Sequence, residues 1–386
     1  MKRILMILLS LLLLVQPALA EETINLSTEG YDDLKGDYCV LPDGRIVIAG
    51  AVGVKGNYEN SRARLICLNP DGTVSWDYRD TSEGDCSFNG VQLLPDGVIG
   101  VIFSNSPNQE TTQVEIRRFT LEGQPVGEPI DIFSPHITTC QTTDTCIEFA
   151  VIPPTAQSFY RYYIDWNGNI LFRIHSDSSL SGGNDMLSAE NGVLLYGTDN
   201  GYPSPAKLME LDLYGNLLWE TIVPTTLPEG DGQLINGCQT SDGGYLFWLM
   251  ESAGDILSNE MLWHKALVKY DANGRQVWAN HNLPEDVISM FKNHHCNDIL
   301  EYGDKIVVAM GGTSYDAGES FHYLWFSSEG EYLGKTEIPL EKRCIGSTLI
   351  PLNGKLYDKI QTRIEKDDRM DTQDTIDQIL FVVPEP

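Results

Sequence analysis

The chain has 386 residues, with 26 basic against 55 acidic side chains and a formal net charge of −29. So acidic a protein repels nucleic acid and anionic membrane surfaces at long range, which sets nucleic acid aside as a partner. A cationic partner or calcium stays open, although surplus carboxylates often serve solubility alone.

The chain opens with a targeting pattern. Lys2 and Arg3 precede an apolar run from Ile4 to Val15, broken only by Ser10, and Ala18-Leu19-Ala20 supplies a small-x-small cleavage site. The run is short for a membrane span, and Gln16 and Pro17 interrupt it. Glu21-Glu22 follows the cut, so no cysteine stands where a lipid anchor would need one. Residues 1–20 are expected to be a signal peptide and 21–386 a single mature domain, without membrane insertion after cleavage. The expected setting is extracytoplasmic: secreted, at the cell surface or in the periplasm.

Two kinds of predicted hairpin then alternate along the chain. The first kind comes at Leu41 to Ile48 and returns at Leu94 to Val101, Glu190 to Tyr196, Ser241 to Phe247, Tyr302 to Val308 and Leu352 to Tyr357. One copy is missing from this pattern between residues 101 and 190. It is recovered at Cys140-Gln-Thr-Thr-Asp144, which matches Cys238-Gln-Thr-Ser-Asp242 at four of five positions. The second kind turns at Gly72, Gly123, Gly168, Gly215, Gly274 and Gly330, spaced by 45 to 59 residues. Each has β-rich residues on both sides of a turn whose glycine can take positive φ.

Two hairpins make a four-stranded antiparallel sheet, and a repeat of this length is propeller spacing. The expected fold is all-β: a seven-bladed β-propeller of four-stranded antiparallel blades. The last unit stops before its fourth strand, whereas Thr23 to Gly30 leads into the first unit as Thr73 to Asp80 leads into the second. The N-terminal strand is therefore expected to complete the last blade, residues 22–28 pairing with 377–383. A helix is expected only within 284–292, and loops at 53–61, 104–113, 252–263 and 365–376.

The stretches Ser241-Asp-Gly-Gly-Tyr245 and Lys269-Tyr-Asp-Ala-Asn-Gly-Arg-Gln-Val-Trp278 resemble the repeats of a family of bacterial secreted propellers. The closing D-x-x-G-x-x-x-W pattern is similar to that of quinoprotein propellers. The resemblance spans the mature chain, with the third and seventh units weak. It implies a fold and an extracytoplasmic setting, and no activity.

Trp76, Phe172, Trp219 and Trp278 recur at one repeat position, which points to packing between blades rather than to sugar-stacking platforms. Trp166, Tyr202, Trp248 and Trp263 break that pattern and are the better ligand candidates. The turns Asp165-Trp-Asn-Gly168 and Asp271-Ala-Asn-Gly274 echo the opening of calcium loops but lack a closing carboxylate, so Asx-type turns are expected. His294 and His295 would point to opposite faces of a strand. His294 with Cys296 makes a metal site only if His264, His281 or His322 joins them, and no metal is expected.

All eight cysteines lie beyond residue 20. Cys39, Cys140 and Cys238 share a repeat position near the channel wall, and Cys86 and Cys344 lie further before their turns. Disulfides together with buried thiols are expected rather than a thiol-ringed metal site. Cys140 and Cys146, flanking one turn, are the candidate local disulfide. No Gly-x-Ser-x-Gly, His-Glu-x-x-His or phosphate-loop pattern is present, and no adjacent cysteine pair of the quinoprotein kind. No cofactor is expected, and catalytic and ligand-binding residues are not assigned.

These observations point to an extracytoplasmic binding or scaffold module for a glycan, peptide or protein. The alternative is a glycan hydrolase or lyase, which needs acid, base and cationic groups converging at the channel mouth. A purely structural part of a larger assembly should instead expose an apolar patch.

Overall fold

The computed structural model describes residues 23–26, 31–34, 37–54, 57–106, 112–132, 137–151, 160–175, 183–198, 204–227, 230–254, 262–290, 294–312, 320–339, 343–352, 354–364 and 375–386. The targeting segment and Tyr202 lie outside the described residues.

The middle strands are apolar along most of their length, as in Gly192–Thr198 and Tyr245–Ala253, so each buries one face against each neighbouring sheet, and glycine makes the turns. Gly72, Gly123, Gly168, Gly215, Gly274 and Gly330 all take positive φ, between 74° and 82°, a region that residues with a Cβ enter only with strain. The hairpins assemble into antiparallel sheets in sequence order. In the fifth, Asp231–Gln239, Tyr245–Ala253, Leu262–Tyr270 and Gln276–Asn280 pair side by side.

Six sheets are blades folded from continuous chain: 31–79, 85–132, 137–175, 183–222, 231–280 and 294–339, here blades 1 to 6. The remaining sheet is a composite of both chain ends. Thr23–Asn25 pairs antiparallel with Thr375–Val382, with Ile24 opposite Leu380. The expectation of seven four-stranded blades is corrected accordingly. Only six blades are continuous repeat units, and both blade 1 and the composite sheet carry five strands.

The fifth strands have a physical origin. In blade 1, Tyr31–Leu34 and Tyr38–Val40 both pair with Ile46–Val54; in the composite sheet, Arg343–Gly346 and Leu349–Leu352 both pair with Lys355–Ile364. The other first strands slip register, between Phe88 and Gly90, Ile137 and Cys140, Gly183 and Asp185, Leu234 and Asn236, and Cys296 and Asp298. A bulge bends these first strands, and in blade 1 and the composite sheet the first strand is divided in two.

Buried side chains form clusters at each junction between adjacent sheets. Between blades 1 and 2 the core is Val47, Leu65, Phe88, Val101 and Phe119, and between the composite sheet and blade 1 it is Leu26, Ile48, Ile350 and Tyr357. The clusters follow one another round the ring back to the start, which makes the fold a β-propeller. The helix Glu285–Met290 lies in the connection after blade 5. Among the described residues, no helix is long and apolar enough to cross a membrane.

Candidate functional site

The recurring aromatics sit on the outermost strands, each against the turn glycine of the following blade. A Cβ placed on Gly123 would lie 2.6 Å from the Trp76 ring, one on Gly215 2.8 Å from Phe172, one on Gly274 2.4 Å from Trp219 and one on Gly330 2.6 Å from Trp278. Trp76 Nε1 also donates to Leu121 O in the same neighbouring turn, at 3.0 Å. Only Phe172 is buried; the three tryptophans are half-buried, with one face on glycine and the rest at the ring's perimeter.

The other candidates divide. Trp248 is fully buried, Trp166 is buried and donates to Thr143 O, and Trp263 is half-exposed. Asp165 Oδ1 accepts the backbone N–H groups of Asn167 and Asn169, and Asp271 Oδ1 those of Asn273 and Arg275, closing Asx-type turns. Cys296 is buried, and Asn236 Nδ2 donates to its carbonyl at 2.8 Å. The His294 side chain lies outside the described residues. Among the described residues, no three His, Cys, Asp or Glu side chains gather around a metal position.

The cysteine expectation is corrected. Cys39, Cys67, Cys86, Cys146, Cys238 and Cys296 are free thiols. Across the hairpin Cys140 stands opposite Phe149, not Cys146. Cys146 lies in the turn instead, where its Sγ accepts from Thr143 Oγ1 at 3.6 Å and approaches Met186 Sδ. The candidate bridge is therefore not formed. The Cys140 and Cys344 side chains lie outside the described residues.

The first strands surround the channel, and their bulges place carboxylates along its wall. Asp37, Asp185 and Asp298 each accept the N–H of the residue that follows, at 2.8 to 2.9 Å. They also reach further: Asp298 Oδ2 accepts Leu349 N–H of the composite sheet at 2.7 Å, and Asp37 Oδ2 accepts Thr142 Oγ1 of blade 3. Burial raises the Asp37 and Asp185 carboxyls above the usual carboxylate range. These groups spend their lone pairs on backbone freed by the bulges and on neighbouring blades.

Glu148 differs from all of them. Counting outward from each first-hairpin turn, the same register position holds Val47, Gly100, Glu148, Leu194, Leu246, Val307 and Tyr357. Six sheets place an apolar residue or glycine there, and blade 3 places a carboxylate only 3% exposed. The side chain faces blade 4, because its strand neighbours Ile147 and Phe149 belong to the core shared with blade 2. Arg161 Nε stands 3.7 Å from Glu148 Oε1, and Asp185 of blade 4 adds a second negative charge. Burial is the leading effect and pushes the Glu148 carboxyl up to about 7, with Arg161 lowering it and Asp185 raising it.

Two further atoms complete the cluster. Tyr163 Oη and Gln141 Oε1 are buried without a hydrogen-bond partner. Asp185, by contrast, holds Tyr196 Oη at 2.8 Å and the Gln141 side chain. A second buried carboxyl shows what a structural one looks like. Asp358, also in a core slot, accepts from Ser347 Oγ, Thr348 N–H and Tyr323 Oη, at 2.8 to 3.0 Å. Glu148 has no such set. The arrangement offers acceptor oxygens, one guanidinium and a proton that moves near neutrality. Reading turn motifs alone misses it; aligning Ile147-Glu-Phe149 with Tyr245-Leu-Phe247 and Ile46-Val-Ile48 exposes it.

No protein-family model matches the chain, and neither does the sequence of any curated protein. The fold recurs among solved structures. Prolyl oligopeptidase B from Galerina marginata, solved with a 35mer hydrolysis and macrocyclization substrate, aligns in one structure with a TM-score of 0.51 at 11% identity, over 92% of this chain and 52% of that one. A second structure of that enzyme gives 0.50 at 10% identity, over 86% and 47%. A prolyl endopeptidase from a study of inter-domain dynamics gives 0.50 at 10% identity, over 92% and 51%. The chain spans about half the length of these proteins. At such identity the likeness is one of fold alone.

Proposed function

We propose that this chain is an extracytoplasmic, non-enzymatic binding propeller that takes a peptide, protein or glycan at its inner wall, between blades 3 and 4. The observation that carries the reading is the charged pair in a slot that six other sheets fill with an apolar residue or glycine, beside two buried polar atoms without partners. A repeat fold keeps its core positions alike for stability, so a position that breaks the pattern without the hydrogen bonds that satisfy Asp358 marks a site. The targeting pattern at residues 2–20 supports the extracytoplasmic setting. The test is a peptide and glycan array probed with the wild type and with Glu148→Leu. A ligand that binds the first and not the second supports the reading, and ligands indifferent to the substitution sink it.

Glycan hydrolysis or elimination is a second reading, favoured by one observation. A carboxyl titrating at about 7 beside a second carboxyl and an arginine has the makings of an acid and base pair. Its burial, at 3% exposure, leaves little room for a polysaccharide and favours binding. Release of reducing ends or unsaturated sugars from polysaccharides by the wild type, and not by Glu148→Gln, would decide for catalysis.

A further inference from the structure

The charges around Glu148 do not balance. Glu148 and Asp185 share one guanidinium, that of Arg161. The other groups facing them are Gln141 on the first strand of blade 3, Cys146 in the turn after it, Tyr163 on the third strand, and Met186 and Tyr196 on blade 4. None carries a positive charge at neutral pH. A buried carboxylate without a counter-charge is costly, so the second negative charge must be met by a proton or by a cation.

The unpartnered atoms indicate which cation. Glu148 and Gln141 Oε1 offer oxygen lone pairs, and Tyr163 Oη, fully buried with the Arg161 side chain beside it, can accept as well as donate. An array of oxygen acceptors suits a group that only donates, such as an ammonium or a guanidinium. Gln141 and Asp185 stand on the first strands of blades 3 and 4, the strands at the inner end of each sheet, which makes the ring's interior the side of approach. We propose that this cluster binds an ammonium or guanidinium group and releases a proton as it does so. Resting on the binding reading above, the step is a simple exchange. The O–H bond of the Glu148 carboxyl breaks, its proton goes to solvent, and N–H donors of the ligand take its place. Near-neutral titration of Glu148 puts this exchange within the physiological range.

Isothermal titration of the full chain with tri-lysine amide, in phosphate and in Tris buffer, tests the inference. Proton release appears as a heat that differs between the buffers, and apparent affinity should fall about tenfold from pH 8 to pH 6 as Glu148 takes up its proton. Glu148→Leu and Glu148→Gln should each lower affinity by about tenfold or more and abolish the buffer dependence. Circular dichroism confirms that both variants fold. Competition by butylammonium would assign a free amine as sufficient; competition only by tri-lysine would assign a basic peptide. Equal binding by wild type and both variants, or binding without proton release, overturns the proposal. An uncharged ligand lost in Glu148→Leu while tri-lysine binding is unchanged would overturn the cation assignment and leave the binding reading standing.

Discussion

Replacing Glu148 with leucine, as already found at the matching positions Leu194 and Leu246, should stabilise the protein above neutral pH. Folding moves the Glu148 carboxyl from its ordinary 4.5 up to about 7. The difference, about 2.5 units at 1.36 kcal/mol each, is on the order of 3 kcal/mol. The sign follows from proton uptake. Between the two values the folded state holds the proton and the unfolded state has lost it, so stability falls as pH rises through this window and levels off above 7. Leucine has no such penalty, and Arg161 keeps Asp185 as a counter-charge. Urea unfolding of both proteins at pH 4.5, 6, 7 and 8 measures the gap. Asp37 and Asp358 are also raised by burial, but they titrate in both proteins and drop out of the difference. The variant should gain on the wild type by about 3 kcal/mol between pH 4.5 and 8. A gap independent of pH, or one that moves the other way, would refute the reasoning.

Gly274→Ala and Gly97→Ala separate strain from contact. Both have positive φ, but a Cβ on Gly97 meets nothing within 4 Å, whereas one on Gly274 strikes Trp219. Chemical denaturation should show a loss of about 1–2 kcal/mol for Gly97→Ala and about 2 kcal/mol more for Gly274→Ala. Trp219→Ala should cost about 2 kcal/mol, below the range for a fully buried aromatic, because the ring is half-exposed. Deleting residues 21–29 removes the strand paired with Thr375–Val382, and a thermal melt should fall for the whole ring rather than lose a separate small transition. Burial raises Cys39 and Cys296 to about 12 and Cys86 to about 11. A thiol reagent at pH 7.5 should therefore leave these three untouched in the native protein and label at least the six free thiols after unfolding without reductant.

Much of this fold is written in its turns. The positive-φ glycines, the helix near Pro284 and the pairing of the two chain ends follow from local chemistry that recurs or is conspicuously cut short. The divided first strands are not legible in the same way. The split near Asp37 depends on how far a bulge bends a strand, which depends on neighbouring sheets. The exposure of Trp76 and its counterparts was likewise hidden, since a repeat position shows that a residue packs and not how much of it does. Glu148 was within reach of the sequence, but only by comparing positions across hairpins. The cysteine count pointed the wrong way because an even number says nothing of which side chains face each other, and Cys146 faces Thr143 and Met186.

The contacts of the outer aromatics run in one direction. Trp76, Phe172, Trp219 and Trp278 each lie on the glycine of the blade that follows. They overlap as roof tiles do, and so the ring has a winding sense. A chain growing from its N-terminus leaves each of these rings bare until the glycine that covers it arrives, 43 to 55 residues later. Vectorial synthesis thus carries one uncovered tile at a time, over residues 76–123, 172–215, 219–274 and 278–330. A circularly permuted chain opened between two blades would keep every tile with its own blade, whereas one opened between a blade's third and fourth strands would lay that tile first and build the rest of its blade last.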